Sequence, residues 1–377
     1  MVKTRKISKR EFIKQSMICA GGVLCADALS FGKGKRFDDL WKWSREAIYY
    51  SNTPRGVKCG ICPNECTLKP GETSVCHNRI NHNDKLYSIA YGNPCAIHID
   101  PIEKKPLLHF LPNSRAFSIA TAGCNFACLN CQNWDISQTS PKDTKNFDLM
   151  PDKVIEECIK SGCESIAYTY SEPISFYEYV FDTAKLAKTK GIKNVFISNG
   201  YINDEPLKAL APYLDAANIN LKSYSDAIYL KLNAGKLQPV LNTLKTLKDN
   251  NVWLEITNLI VPSWTDDFDM IKKMCDWLVE NGFSEYPLHF SRFYPLYKLT
   301  QLPQTPVNTL LKAREIARNA GCKFVYIGNV PIAGTEDTIC PSCKKVVVER
   351  IGFSIISNNL NEGKCKFCGS IVNGVWK

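Results

Sequence analysis

The stretch that decides the fold is Gly123-Cys124-Asn125-Phe126-Ala127-Cys128-Leu129-Asn130-Cys131-Gln132-Asn133-Trp134. Its three cysteines, Cys124, Cys128 and Cys131, have the spacing C-x3-C-x2-C. Three thiolates can hold three irons of a [4Fe–4S] cluster, which leaves the fourth iron open to another ligand. The alternative is a set of buried structural cysteines. The apolar run 116–122 leads directly into the motif and places it at the end of a strand, which favours the cluster.

Beyond this motif the chain alternates short apolar runs with longer stretches of helical spacing. The apolar runs predict strands at Ser165–Thr169, Lys193–Ser198, Ala216–Leu221, Trp253–Val261, Leu288–Arg292 and Phe324–Ile327. The longer stretches predict helices at Ile174–Lys190, Val240–Asn250, Met270–Asn281 and Val307–Ala320. Such alternation indicates an α/β fold with a parallel sheet, either an open barrel or a doubly wound sheet. Its chemistry is expected at the carboxyl ends of the strands.

Three segments together carry a family resemblance: 59–66, Asp100–Phe110 and Gly123–Gln138. They resemble the AmmeMemoRadiSam-system radical S-adenosylmethionine (SAM) enzymes, which are relatives of the glycyl-radical activating enzymes. The resemblance extends from about Cys59 to Lys377. It implies a partial (βα)6 barrel with the cluster after the first strand. It also implies that the reduced cluster cleaves SAM to methionine and a 5′-deoxyadenosyl radical, which abstracts hydrogen from a substrate.

The resemblance also suggests which residues contact the cofactors. The residues assigned to cofactor binding are Gly123, Asn125, Glu172, Asn199, Lys222 and His289. Gly123 and Asn125 would shape the cluster loop. Glu172, in Tyr168–Pro173, corresponds to a carboxylate that meets the SAM amino group. The chain departs from the family pattern at Asn130, where an aromatic residue is usual, and at Asn220, which replaces an acid.

Eighteen cysteines are many for 377 residues, and most are clustered, which favours metal binding over disulfides. A C-x2-C…C-x2-C pattern predicts a rubredoxin-like or zinc-ribbon module with zinc or iron at Cys340, Cys343, Cys365 and Cys368. A C-x2-C-x3-C-x9-C pattern would suit zinc, a second cluster or unligated thiols at Cys59, Cys62, Cys66 and Cys76. Four further cysteines without metal spacing are expected in the core: Cys158, Cys163, Cys275 and Cys322.

The N-terminus has a basic stretch, 6–14, followed by small and apolar residues at 16–30. This pattern resembles a twin-arginine (Tat) export signal with Lys9-Arg10 in place of the arginine pair, and indicates a periplasmic location, with a cytoplasmic one as the alternative. The expected organisation is a signal at 1–30, a Cys-rich extension at 31–112, a radical SAM core at 113–335 and a metal module at 336–377. Helical spacing predicts a helix at Phe37–Tyr50.

The net charge of +10 is spread along the chain, which indicates first of all a solvated surface. A basic surface would also suit an acidic partner, such as an electron donor of the flavodoxin or ferredoxin class. We find no nucleic-acid recognition motif and no apolar stretch long enough to span a membrane. The resemblance implies AmmeMemoRadiSam partner proteins.

The predicted function is that of a radical SAM enzyme with an unassigned substrate. Three alternatives remain open: a glycyl-radical activating enzyme, a non-catalytic iron–sulfur electron-transfer protein, and a zinc-based binding module. The last of these explains the terminal cysteines but leaves the C-x3-C-x2-C motif without a role.

Overall fold

A computed structural model describes residues 40–377, of which 41–377 form one compact unit. The Tat-like segment and the first three residues of the predicted helix at 37–50 lie outside the described residues. Within residues 40–377, no helix combines the length and apolar character that crossing a bilayer requires.

The N-terminal region forms two small antiparallel sheets. Its strands are β1 (Arg45–Glu46), β2 (Tyr50–Thr53), β3 (Gly56–Cys59), β4 (Thr67–Leu68), β5 (Arg79–His82) and β6 (Lys85–Ser88). One sheet has the order β1-β6-β5 and the other β2-β3-β4. The helix prediction is therefore wrong for residues 40–50. β1 pairs with β6, and the N–H of Ala47 donates to the Leu86 carbonyl at 2.8 Å, so tertiary pairing overrides the local helical spacing.

The central sheet has eight strands. They are β7 (Ala96–Pro101), β8 (Arg115–Ala120), β9 (Ser165–Tyr168), β10 (Lys193–Ser198), β11 (Ala216–Asn220), β12 (Trp253–Ile260), β13 (Leu288–Arg292) and β14 (Val325–Gly328). β7 is antiparallel to β8, and β8 to β14 are parallel neighbours in chain order. The six strands predicted after the motif are confirmed to within one residue. A doubly wound sheet reverses its strand order, so this uninterrupted order excludes that alternative.

Helices connect the parallel strands. They are α1 (Trp134–Ser137), α2 (Pro151–Lys160), α3 (Tyr177–Thr189), α4 (Asp204–Leu210), α5 (Asp226–Ile228), α6 (Leu237–Asp249), α7 (Phe268–Glu280) and α8 (Val307–Ala320). The four predicted helices are confirmed, the first of them preceded by a 3₁₀ turn at Pro173–Phe176. Asp267 caps α7 by accepting from the Met270 N–H at 2.9 Å, and Gly321 ends α8 with a φ of 109°.

The segment between β7 and β8, residues 102–114, closes the amino-terminal end of the sheet. Ile102, Leu107 and Phe110 are buried against alanines and Val195 at the starts of the strands. Small side chains at these strand positions leave room for the larger ones of the segment. The predicted boundary at residue 112 therefore crosses a segment that is continuous with the central sheet.

The C-terminal region consists of short antiparallel strands. They are β15 (Thr338–Ile339), β16 (Val346–Ile351), β17 (Ser354–Asn358), β18 (Leu360–Asn361) and β19 (Lys364–Cys365). Val347 and Val348 share a buried cluster with Leu108 and Tyr326. Val375 also forms a bridge with Phe110. The module therefore packs against the amino-terminal end of the central sheet.

Candidate active site

The motif loop begins directly after β8, at the carboxyl end of the parallel strands. Gly123 has a φ of 100°, a conformation that L side chains rarely adopt. A Cβ at this position would come within 2.4 Å of both the Cys76 carbonyl oxygen and Asn78 Oδ1. The glycine therefore lets the motif loop lie against the N-terminal cysteine region.

A second loop holds the motif from the other side. The N–H groups of Ala127 and Leu129 donate to the carbonyls of Asn233 and Leu232 at 3.0 and 2.9 Å. Asn233 Nδ2 also donates to Cys128 Sγ at 3.1 Å. Donors of this kind stabilise a thiolate and tune a bound cluster. Sequence reasoning missed Asn233, for which the turn sequence Asn233-Ala234-Gly235 is the available signal.

The three motif thiols lie in a water-poor environment. Burial raises the pKa of Cys131 to about 11 and raises the pKa values of Cys124 and Cys128 as well. The bare thiols are therefore protonated at neutral pH, and a metal that binds them must displace those protons.

Two asparagines connect the motif to the end of β10. Asn199 Nδ2 donates to Asn125 Oδ1, and Asn125 Nδ2 donates to the Tyr201 carbonyl, both at 2.8 Å. Asn199 Nδ2 also lies 4.0 Å from Cys124 Sγ. Two of the predicted site residues, Asn125 and Asn199, are therefore brought together beside the first cysteine.

Glu172 follows β9 and is 4% exposed. Its carboxylate accepts hydrogen bonds from Ser198 Oγ at 2.7 Å, from the Asn199 N–H at 2.8 Å and from the Ile174 N–H at 3.2 Å. Burial raises the pKa of this carboxyl to about 7, against these hydrogen bonds and the charge of Lys222. A carboxylate has about four acceptor positions, so one remains for a ligand donor.

Lys222 follows β11 and shares this edge of the sheet. Its Nζ donates to Asn220 Oδ1 at 2.9 Å, so Asn220 orients the lysine. The positive charge of Lys222 opposes the effect of burial on the pKa values of Cys128 and Cys131. Glu172, Asn199 and Lys222 thus converge on the motif from three successive strand ends.

His289 lies elsewhere. It is the second residue of β13, and its Nε2 is 2.6 Å from Glu255 Oε2. Glu255 in turn accepts from the N–H groups of Leu108 and His109 at 3.0 and 2.7 Å. The structure therefore places His289 at the amino-terminal end of the sheet and does not bring it to the cysteine motif.

The donor set at the carboxyl end fits a cluster and SAM. Three thiols on one loop are the donors that iron–sulfur clusters use. Oδ1 of Asn130 and Oδ1 of Asn233 are buried with no donor in the described part of the chain, residues 40–377, so a bound molecule with N–H or O–H groups would satisfy them. The departure at Asn130 thus leaves a polar atom where the family pattern has an aromatic ring.

The C-terminal cysteines form a compact group. The sulfurs of Cys340, Cys343, Cys365 and Cys368 all lie within 4.8 Å of one another. Sγ–Sγ distances are 3.6 Å for Cys340 and Cys368 and 3.7 Å for Cys343 and Cys365. A tetrahedral ion with metal–sulfur bonds of about 2.3 Å holds its sulfurs about 3.8 Å apart, so this group can bind one metal ion. The four cysteines expected in the core are indeed buried.

A model of the Radical SAM superfamily matches residues 118–278 of this chain. An uncharacterized protein of Methanocaldococcus jannaschii is 45% identical over 332 residues, which cover 87% of this chain and 99% of that protein. The pyruvate formate-lyase 1-activating enzyme of Escherichia coli K12 is 27% identical over 164 residues, 42% of this chain and 67% of that enzyme.

Solved structures also resemble the chain. One is a crystallised domain of the pyruvate-formate lyase-activating enzyme from Bacteroides vulgatus, and the alignment covers 44% of this chain and 99% of that domain. The sequence identity is 14% and the TM-score 0.39.

Proposed function

The chain belongs to the radical SAM superfamily, and on that premise we propose that it is an enzyme that cleaves SAM reductively and abstracts hydrogen from a substrate. In this proposal Cys124, Cys128 and Cys131 hold a [4Fe–4S] cluster, which supplies the electron that breaks the SAM carbon–sulfur bond. The observation that carries the proposal is the convergence of Glu172, Asn199 and Lys222 on this cysteine loop.

The protein groups around the loop have separate roles in this proposal. Glu172 offers its remaining acceptor position to the SAM amino group, and its bonds to Ser198 and Asn199 fix the carboxylate in place. Lys222, oriented by Asn220, offers a positive charge to a carboxylate of SAM or substrate. Asn233 donates to a cysteine sulfur and limits the negative charge that accumulates there.

We further propose the finer assignments that the sequence suggests. The central sheet curves into a partial (βα)6 barrel, the chain is an AmmeMemoRadiSam-type enzyme, and its electron donor is of the flavodoxin or ferredoxin class. The in-order parallel strands support the first of these. Export through the Tat-like N-terminus also stays a proposal.

An anaerobic SAM-cleavage assay tests the function. The protein is reconstituted with iron and sulfide and reduced with dithionite, and 5′-deoxyadenosine is quantified after SAM is added. We expect product from the wild type and none from the Cys124→Ala/Cys128→Ala/Cys131→Ala variant. Cys95→Ala, which changes a cysteine outside all three cysteine sets, is the control and should retain activity. A wild type that loads iron but forms no 5′-deoxyadenosine would instead indicate an electron-transfer protein.

A glycyl-radical activating enzyme is the second candidate. The 27% identity to pyruvate formate-lyase 1-activating enzyme favours it. Its substrate would be a backbone glycine of a partner protein. Incubating the reconstituted enzyme, SAM and a candidate partner should then produce a glycyl-radical EPR signal on the partner, and its absence with an active enzyme would favour another substrate.

A further inference from the structure

Four cysteines of the N-terminal region line one cavity, although they come from separate turns. Ser74, Arg79 and Asn125 also line this cavity. We call Cys59, Cys62, Cys66 and Cys76 the N-terminal set. Cys59 and Cys76 are buried, and Cys62 and Cys66 are partly buried.

Two tight turns bring the N-terminal set together. In the first, the N–H of Cys59 donates to the Cys66 carbonyl at 2.9 Å, and Glu65, with a φ of 43°, reverses the chain. In the second, the His77 N–H donates to the Ser74 carbonyl at 2.9 Å, and His77 has a φ of 65°. Non-glycine residues in this conformation are uncommon and are maintained by their surroundings. The backbone is thus shaped to turn four thiols onto one space.

A buried cation faces the N-terminal set. Arg79 is 1% exposed, and its Nη1 donates to Glu178 at 2.7 Å. Its Nη2 has no hydrogen-bond partner among residues 40–377. Arg79 also lines the cavity, where its charge opposes the effect of burial on the pKa of Cys59. An unpartnered guanidinium N–H is costly to bury unless an anionic group accepts from it.

Sulfur spacing separates a single ion from a cluster. The sulfurs of the C-terminal cysteines lie close enough together to bind one tetrahedral ion. Among the described residues 40–377, no second set of three or more Cys, His, Asp or Glu ligand atoms is that compact. No three thiols of the N-terminal set therefore lie that close together, although all four line one cavity. An iron–sulfur cube holds its thiolates farther apart than one ion does, because each thiolate binds a different iron.

We propose that Cys59, Cys62, Cys66 and Cys76 bind a second [4Fe–4S] cluster. Four thiolates occupy all four irons, so this cluster has no open iron for SAM. With four thiolates the group is negatively charged, and it would accept the free N–H of Arg79. Ser74 Oγ, 3.1 Å from Cys76 Sγ, supplies a further donor to a ligating sulfur.

The N-terminal set lies directly behind the motif loop. The Cys76 carbonyl oxygen is in contact with Gly123, and Asn64 Nδ2 donates to the Asn125 carbonyl at 2.8 Å. Gly123 contacts the Cys76 carbonyl oxygen, and Cys124 is the next residue along the chain. Because consecutive Cα atoms are about 3.8 Å apart, the Cα atoms of Cys76 and Cys124 lie within roughly 10 Å of each other. This location suits one-electron transfer from the second cluster to the motif cluster, in which the second cluster is oxidised and the motif cluster is reduced. A donor of the flavodoxin or ferredoxin class would then reduce the second cluster again. That role rests on the proposed function, whereas the site itself does not.

Iron and acid-labile sulfide counts test the site on the full chain after anaerobic reconstitution. We expect about eight sulfides per wild-type chain and about four in the Cys124→Ala/Cys128→Ala/Cys131→Ala variant, which leaves the N-terminal set intact. A single iron at the C-terminal cysteines would add no sulfide. In that variant, dithionite should produce a [4Fe–4S] EPR signal that SAM does not change.

Two further variants complete the experiment. Cys62→Ala/Cys66→Ala should retain about four sulfides and a signal that SAM does change. The control Cys95→Ala should match the wild type. If the motif variant contains no sulfide after reconstitution, the proposal is overturned. It is also overturned if the wild type binds zinc that the Cys62→Ala/Cys66→Ala variant has lost. Because these readouts need no SAM cleavage, two clusters without 5′-deoxyadenosine would contradict the proposed function and leave this inference standing.

Discussion

The N-terminal set and the C-terminal set, Cys340, Cys343, Cys365 and Cys368, differ in spacing and surroundings. The C-terminal sulfurs all lie within 4.8 Å of one another. The N-terminal set lines a cavity beside the buried Arg79 and contacts the motif loop through Cys76 and Gly123. Two sets of four thiols in one chain thus have different arrangements.

The position of each set in the fold indicates its role. The N-terminal set adjoins the carboxyl end of the sheet, where the motif loop lies. The C-terminal set packs with Leu108 and Tyr326 at the opposite end. We therefore expect changes at the first set to alter redox chemistry, and changes at the second to alter stability.

Substituting the C-terminal cysteines should have the largest effect on stability. Cys340 and Cys365 are 0% and 2% exposed and belong to the cluster that joins the module to the sheet. We expect Cys340→Ser/Cys365→Ser to lower the free energy of unfolding by more than about 4 kcal/mol, since metal binding supplies folding energy to so small a module. Urea unfolding with metal analysis measures this. A loss below about 1 kcal/mol would contradict a structural role for the metal.

Breaking the buried Arg79–Glu178 pair is expected to be nearly as costly. The two side chains are almost completely buried, with 2% of Arg79 and 1% of Glu178 exposed. Glu178→Gln should lower the free energy of unfolding by about 3–5 kcal/mol, because the guanidinium loses its counter-charge. The loss should be smaller in iron-loaded than in iron-free protein, since the proposed anionic cluster would also face Arg79.

The control for this variant is Glu156→Gln. Glu156 pairs with Lys153 at 2.6 Å with both side chains more than half exposed, so the expected loss is below about 1 kcal/mol. An equal loss for Glu178→Gln in loaded and iron-free protein would contradict an anionic group beside Arg79.

Gly123→Ala tests the contact between the motif loop and the N-terminal set. Gly71 provides a matched control, because it has a φ of 83° and open space where a Cβ would lie. We expect Gly71→Ala to cost about 1 kcal/mol from backbone strain alone. Gly123→Ala should cost about 2–4 kcal/mol because its Cβ also meets the Cys76 carbonyl and Asn78. Thermal unfolding compares them, and equal losses would mean that the close approach carries no cost.

Acidification should weaken the C-terminal end of the molecule. His109 is fully buried, with Nδ1 2.6 Å from the Asn373 carbonyl and Nε2 2.5 Å from the Tyr326 hydroxyl. Burial lowers the pKa of this imidazole to about 4. The unfolded chain therefore binds the extra proton between about pH 6.5 and 4, and stability falls as the pH falls through this window.

The His109→Gln variant measures this effect. From pH 7 to pH 5 the free energy of unfolding of the wild type should fall by about 2 kcal/mol more than that of the variant. The exposed His98→Gln is the control and should keep the wild-type slope. Equal slopes for wild type and His109→Gln would contradict a neutral, buried imidazole.

Much of the sheet could be predicted because each strand and helix has a local pattern. Lys193–Ser198 has the predicted bounds, since its consecutive apolar residues Val195, Phe196 and Ile197 indicate a buried strand without reference to the rest of the chain. The helix predicted over 37–50 failed in residues 40–50, where pairing with the distant strand β6 decides the conformation. The sequence also places His289 second in the predicted strand 288–292, and a side chain so early in a parallel strand lies away from the carboxyl end where the motif loop is.

The cysteine spacings, the order of strands and helices, and the residues that follow each strand can all be read from the amino-acid sequence. Tertiary packing is what brings Asn233 to Cys128, Arg79 to the N-terminal set, and this set behind Gly123. Local periodicity depends on neighbouring residues alone. Contacts between separate segments, such as Asn233 with Cys128 or Gly123 with Cys76, depend on how the whole chain closes and packs.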